Sequence, residues 1–137
     1  MKKAAVVYWS GTGNTEAMAK AVAEGARQNG AEVDVLKASE FGAEQVDAYG
    51  AIAFGCPSMG AEELEEVEFA PMWEAVKDSL SGKNVVLFGS YGWGDGEWMR
   101  TWEAEAPCDI LDTYICNETP GPGEEDACRA LGAQLVQ

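Results

Sequence analysis

Five short apolar runs alternate along this chain with stretches of helical spacing. The runs lie at about 4–9, 32–36, 51–55, 84–89 and 109–116; the helical stretches at about 15–28, 66–80, 96–105 and 123–136, with a shorter one near 43–48. Strands separated by helices can pair in parallel only if each helix packs back onto the sheet. The alternation therefore predicts a doubly wound α/β fold, a five-stranded parallel sheet with helices on both faces. In the first helical stretch Met18, Val22 and Ala26 recur every four residues, with Ala21 and Gly25 beside them. Gly30 is placed to end that helix and Gly82 to end the third. At 137 residues the chain suits one domain, 1–137, without linker or repeat. The Pro- and Gly-rich stretch 117–125 reads as a loop ahead of the last helix.

Charge narrows the partners. With 24 acidic against 9 basic residues the formal net charge is −15, which repels nucleic acid and anionic lipid and favours basic partners. No stretch reaches membrane-spanning length, and the apolar run after Met1, Lys2 and Lys3 is too short for a signal peptide, so a cytoplasmic protein is expected. There is no histidine, and Cys56, Cys108, Cys116 and Cys128 form no C-x-x-C pair. Placed together on the fifth strand, Cys108 and Cys116 would stand about 26 Å apart, too far for a disulfide. All four thiols are expected reduced and at least partly buried, with no metal site.

In an open parallel sheet, ligands sit outside the carboxyl ends of the strands. After the first strand comes SGTGNT at 10–15. Gly11 and Gly13 let the backbone wrap an anion, a helix N-terminus points its N–H groups at it, and Ser10, Thr12, Asn14 and Thr15 add side-chain donors. No Lys or Arg lies between Ala4 and Lys20, so such a grip relies on neutral donors and the helix dipole. The same residues would also serve as a plain turn with an N-cap. The loop lacks the Gly-Lys-Ser/Thr of a Walker A loop, and Glu16 breaks the G-x-G-x-x-G dinucleotide pattern.

After the third strand comes GCPSMGAE at 55–62, and after the fourth GSYGWGDG at 89–96. Glycines on both sides of Trp93 leave its indole few packed neighbours, which suits stacking on a planar ligand. Met59 offers a polarisable thioether for an aromatic face, and Glu62 an acceptor for a ring N–H. A phosphate grip, an aromatic platform, a thioether and a carboxylate together describe a planar N–H-bearing heterocycle on a phosphorylated tail. FMN fits this description; an adenine nucleotide fits it in part.

YWSGTGNTE at 8–16, GCPSMG with its Glu-rich continuation at 55–66, and FGSYGWGDGEWM at 88–99 carry a resemblance over the whole chain. The sequence resembles the flavodoxins, in particular the short-chain members from anaerobic bacteria, with an uninterrupted fifth strand. The resemblance implies a flavodoxin-like sheet in the order 2-1-3-4-5, non-covalent FMN, and low-potential one-electron transfer between redox enzymes without substrate turnover. It places the phosphate against Ser10, Thr12, Gly13, Asn14 and Thr15, with Gly11 among the other cofactor-binding residues. The ring would lie between Met59 and Trp93, with Glu62 accepting from its N3–H and the N–H groups of Gly92 and Trp93 facing its pyrimidine oxygens. Pro57, Ser58, Gly60, Ala61, Ser90, Tyr91 and Gly94 complete the implied site, and Asn117 matches a position near the ribityl chain or ring edge. The turn Met59-Gly60-Ala61-Glu62, with glycine first of its two central residues, would be the redox-linked switch. Pro57 stands where some relatives have a phosphate-binding Ser, and Ala61 where some carry Asp. The implied partners are redox enzymes with basic docking surfaces, such as ferredoxin or flavodoxin reductases and other oxidoreductases, met by a monomer.

A flavin-dependent reductase, or a flavodoxin-like activator serving one enzyme, is the alternative. A reductase needs a nicotinamide site or a dimer contact, and acyl or phosphoryl transfer needs a nucleophile–base pair or metal ligands; no segment supplies these. A receiver domain shares the topology but carries paired acids after its first strand, where this chain has Trp9 and Ser10. Trp98 and Trp102, spaced i, i+4, read as a packed stripe, and Trp9 as a shield beside the first loop. Cys56 reads as an inert thiol. The run 62–66 reads as a solvated acidic stretch in which only Glu62 has a specific role.

Overall fold

The run at 4–8 is apolar throughout because both of its faces are covered. In the computed structural model, which describes residues 3–60 and 62–137, it forms β1 (Lys3–Tyr8), an interior strand of a parallel sheet. The other strands are β2 (Glu32–Lys37), β3 (Ala51–Gly55), β4 (Asn84–Tyr91) and β5 (Asp112–Asn117), in the order β2-β1-β3-β4-β5. Helices α1 (Asn14–Gln28) and α5 (Pro122–Leu135) cover one face; α2 (Ala43–Val46), α3 (Phe69–Val76) and α4 (Glu97–Glu105) cover the other. The doubly wound architecture and its strand order are as expected.

Side chains alternate between the two layers, and the layers differ in size. Toward α1 and α5 the strands present Ala4, Val6, Ala51, Ala53 and Val86. These short side chains keep the two helices low on the sheet and close together. A Cβ on Gly25 would stand 1.9 Å from the Arg129 carbonyl oxygen, and one on Gly132 would stand 2.0 Å from that of Val22. The helices therefore pack backbone to backbone. On the opposite face Ile52, Phe54 and Leu87 meet an aromatic cluster. Trp73 stands edge-on to Phe54 at 5.2 Å and to Trp102 at 5.6 Å, and Trp102 to Phe69 at 5.4 Å. Trp98 and Trp102 are packed core residues, as their spacing indicates.

Some boundaries move. α1 ends where expected: Gly30, at φ 90°, donates to the Arg27 carbonyl while Ala31 donates to that of Ala26, a Schellman closure. Gly82 does not end α3, which stops at Val76 and continues only as a 3-10 turn, Lys77–Ser79. β5 starts at Asp112 rather than 109, so Cys108 lies ahead of the strand and not on it with Cys116. Cys56, Cys116 and Cys128 are buried and Cys108 is partly so. Among the described residues no helix is long and apolar enough to cross a membrane.

Helix propensity favours alanine over glycine by about 1 kcal/mol, yet Gly132→Ala should destabilise the protein. Forcing a methyl into the α1–α5 contact costs typically about 1–3 kcal/mol. Equilibrium urea unfolding should show a lower midpoint with an unchanged slope.

Candidate functional site

Tyr8 pairs with Gly55, and Gly55 with Phe88, so β1 and β3 end level with each other at one end of the sheet, while β4 runs on to Tyr91. In the first loop Ser10 organises the backbone: its Oγ accepts from the N–H groups of Gly13, 3.1 Å, and Glu16, 3.2 Å. Gly13 enters α1 at φ 95°. Among the described residues, the N–H groups of Gly11, Thr12, Asn14 and Thr15 have no protein acceptor. Four such donors beside a helix N-terminus are an arrangement that can hold an anion. Thr12 is exposed, whereas Thr15 is buried and shares a 2.9 Å hydrogen bond with the Ser90 hydroxyl. Asn14 Oδ1 accepts from the Thr119 hydroxyl at 3.0 Å.

The third-strand loop is fixed at both ends. The Ser58 N–H donates to the Ser90 carbonyl, 2.9 Å, while Met59 and Glu63 exchange both backbone hydrogen bonds at 2.8 Å. The turn expected to end at Glu62 is thus closed one residue later, by Glu63. Gly60 has φ 51°, the positive value expected of it, and Glu62 sits at φ 58°; Ala61 lies outside the described residues. Glu62 Oε2 accepts from the Trp98 N–H in the first turn of α4, 3.2 Å. Its Oε1 presses on Gly94, where a Cβ would stand 2.0 Å away.

The acidic run is not simply solvated, since Glu65 is buried. Its carboxylate accepts 2.8 Å hydrogen bonds from the N–H groups of Val67, Glu68 and Phe69, capping α3. Burial alone would raise its pKa, but the three N–H donors outweigh it and hold the carboxyl below its ordinary value. Cys56 is buried beside it, where burial pushes the thiol up to about 12. No thiolate forms there near neutral pH, consistent with an inert residue.

Beyond β4, Tyr91 is half-buried against Trp98 at 5.6 Å, whereas Trp93 is 59% exposed, as its flanking glycines suggest. Asn117 stands beside the cavity described below rather than in its lining, and donates to the Tyr91 carbonyl at 3.4 Å. The next two residues, Glu118 and Thr119, form the wall instead.

Between these loops lies a cavity of about 430 Å³, lined by Gly11, Thr12, Asn14, Pro57, Ser58, Met59, Ser90, Tyr91 and Gly92, together with Trp9, Glu118 and Thr119. Ser10, Gly13, Thr15, Gly60, Glu62, Trp93, Gly94 and Asn117 stand outside this lining. Among the described residues, the Ser58 Oγ is buried with no hydrogen-bond partner. On the other side of Trp9 lies a more polar cavity of about 410 Å³, lined among others by Tyr8, Glu16, Lys37 and Glu68. The Trp9 indole donates to Glu68 at 3.0 Å and is the partition between the two. The first cavity suits a planar ring on a phosphorylated tail, because its lining combines Gly11, Thr12 and Asn14 of the first loop with Met59 and Tyr91. Among the described residues no three or more acidic or cysteine side chains are grouped to hold a metal ion.

A parallel sheet whose first, third and fourth loops converge on such a cavity defines a nucleotide-binding α/β protein. The flavodoxin family model matches residues 6–106. The chain is 41% identical over 135 residues to a flavodoxin of Clostridium beijerinckii, covering 96% of this chain and 97% of that one. It is 42% identical over 130 residues to a flavodoxin of Megasphaera elsdenii, covering 93% of each. The solution structure of the two-electron reduced Megasphaera elsdenii flavodoxin superposes with a TM-score of 0.88 at 40% identity, covering 97% of this chain and 98% of that one. The chain belongs to the flavodoxin family, electron-transfer proteins that bind FMN, and is of the short-chain type. The reductase and dedicated-activator alternatives are not favoured.

Glu65→Gln should unseat the third-strand loop and destabilise the fold by about 1.5–3 kcal/mol, the worth of hydrogen bonds to a charged acceptor. The folded pKa is depressed, so this contribution is fully present above the unfolded value of about 4.3 and is lost as pH falls through the folded pKa. Unfolding free energies measured from pH 7 down to 3 should therefore converge for wild type and variant at the acid end.

Proposed function

We propose that this chain, one domain spanning 1–137, works as a cytoplasmic monomer that binds one FMN between the first, third, fourth and fifth loops. The observation that carries this reading is the set of four unpaired N–H groups, on Gly11, Thr12, Asn14 and Thr15, beside a cavity that Gly11, Thr12 and Asn14 line together with Met59 and Tyr91. Bound FMN supplies a group that takes up and gives off electrons singly. The chain's residues bind it, orient it and keep water from it. Ser10, through the backbone it organises, and Thr12 grip the phosphate, and Trp9 closes that end. Met59 covers one face of the ring and Trp93, exposed and flanked by glycines, folds over the other. Glu62 keeps one carboxylate oxygen on α4 and offers the other to a ring N–H. Gly60 supplies the backbone freedom expected of a redox-linked turn.

Titration of the apoprotein with FMN and riboflavin tests the phosphate assignment. Thr12 is exposed and makes no side-chain hydrogen bond within the protein, so Thr12→Ala removes a ligand contact without disturbing the loop. FMN affinity should fall about tenfold to a hundredfold, the equivalent of about 1.5–3 kcal/mol for a hydrogen bond to a charged group. Riboflavin affinity should not change. Equal losses for both would contradict the assignment.

Redox enzymes with basic docking faces, among them ferredoxin or flavodoxin reductases, are the partners that a net charge of −15 favours. Electron transfer to a positively charged acceptor should slow steadily as salt rises from 0.01 to 0.15 M, where the screening length drops from about 30 to about 8 Å. A stopped-flow rate indifferent to salt would limit the acidity to keeping the protein dispersed.

A further inference from the structure

We propose that the Ser58 hydroxyl positions the ribityl chain of the cofactor, an inference that rests on the FMN reading above. Nearly every buried side-chain polar atom in a folded protein has a hydrogen-bond partner, but Ser58 Oγ has none. Its backbone cannot drift to find one, because the Ser58 N–H is held on the Ser90 carbonyl at 2.9 Å and the next residue, Met59, is paired with Glu63. The Thr15 and Ser90 hydroxyls of the loop network bond each other at 2.9 Å. What Ser58 does face is the cavity of about 430 Å³ that it helps to line.

Its place along that cavity selects the ligand atom. On one side Ser58 is joined through Ser90 to Thr15 in the phosphate loop. On the other it directly precedes Met59, which lines the ring end. Ser58 thus falls between the donor cluster and the apolar end, the stretch where FMN carries a polyol rather than phosphate or ring. A serine hydroxyl both donates and accepts, which matches a ligand hydroxyl that does the same. It needs only a rotation among staggered χ1 wells to turn toward the cavity.

The test is Ser58→Ala, titrated with FMN, with riboflavin, which keeps the ribityl chain but lacks the phosphate, and with lumiflavin, which lacks both. FMN and riboflavin affinities should each drop by the same factor, about 5–30-fold, while lumiflavin binding stays as in wild type. A loss confined to FMN would put the hydroxyl on the phosphate, and an equal loss for all three would make it a structural support of the ring site. Unchanged or improved affinity for FMN and riboflavin would mean that Ser58 pairs with nothing in the complex. Each of these three results overturns the proposal. Apoprotein unfolding midpoints, measured alongside, should match; a large drop in the variant's midpoint together with losses for all three ligands also counts against it. Failure of the FMN reading itself looks different, because wild type would then bind none of the three flavins.

Discussion

Parallel pairing puts the carboxyl ends of β1, β3 and β4 side by side, and the site depends on how closely their loops then pass one another. The ladder continues one step past β3, where the Cys56 N–H donates to the Phe88 carbonyl. At that point the third loop crosses β4 directly over Gly89, where a Cβ would stand 2.1 Å from the Cys56 carbonyl oxygen. The same oxygen accepts from the Trp98 indole at 3.3 Å. A side chain at position 89 would lift the loop from the strand and separate Ser58 from Ser90. The Thr15–Ser90–Ser58 tie, which joins the first, fourth and third loops, exists because position 89 has no side chain.

That tie allows an anion grip without a cation. In a chain of net charge −15, a flexible lysine would be drawn to the many carboxylates around it. Backbone N–H groups have no such freedom. The first loop is held by Ser10 on one side and by Thr15 on the other, and both ties are made without a ligand. The partial positive charge at the start of α1 adds to its donors. The binding energy then comes from an array ordered during folding, and less has to be ordered when the ligand arrives.

Much of this was legible in the sequence, for physical reasons that also explain the misses. Strands buried on both faces read as unbroken apolar runs, so β1, β3 and β4 were easy to find. β5 lies at the sheet edge with Asp112 exposed and residues 113–115 only partly covered, and Ile110 and Leu111 ahead of it drew its expected start too early. The glycines of the first loop and around Trp93 announced special backbone and an exposed indole. Nothing in the run EELEE at 62–66 told which glutamate would turn inward. Preferred capping residues are Ser, Thr, Asp and Asn, so a Glu four residues before Phe69 carried no capping signal. Glu118 and Thr119 were hidden for another reason. A loop residue lines a cavity through chain direction, set here by the Glu118 N–H on the Tyr91 carbonyl at 2.8 Å and by positive φ at Glu118, and composition does not reveal direction.

The two inward glutamates change how the acidity around the ring site should be counted. Glu65 takes three N–H groups at the start of α3, and Glu62 takes one in the first turn of α4. Each helix N-terminus carries roughly half a positive charge, so each carboxylate is partly neutralised where it sits. The third-strand loop is thereby suspended between two helix starts, with the Met59–Glu63 pair across its middle. Glu62 accepts a positive φ that costs a non-glycine residue about 1–2 kcal/mol, and the bond to α4 offsets part of that cost. Glu63, Glu66 and Glu68 are exposed, and Glu68 keeps its charge while it accepts from the Trp9 indole. Of the glutamates in this stretch, then, the inward pair holds the loop in place, and the field felt outside is weaker than a count of acidic residues implies.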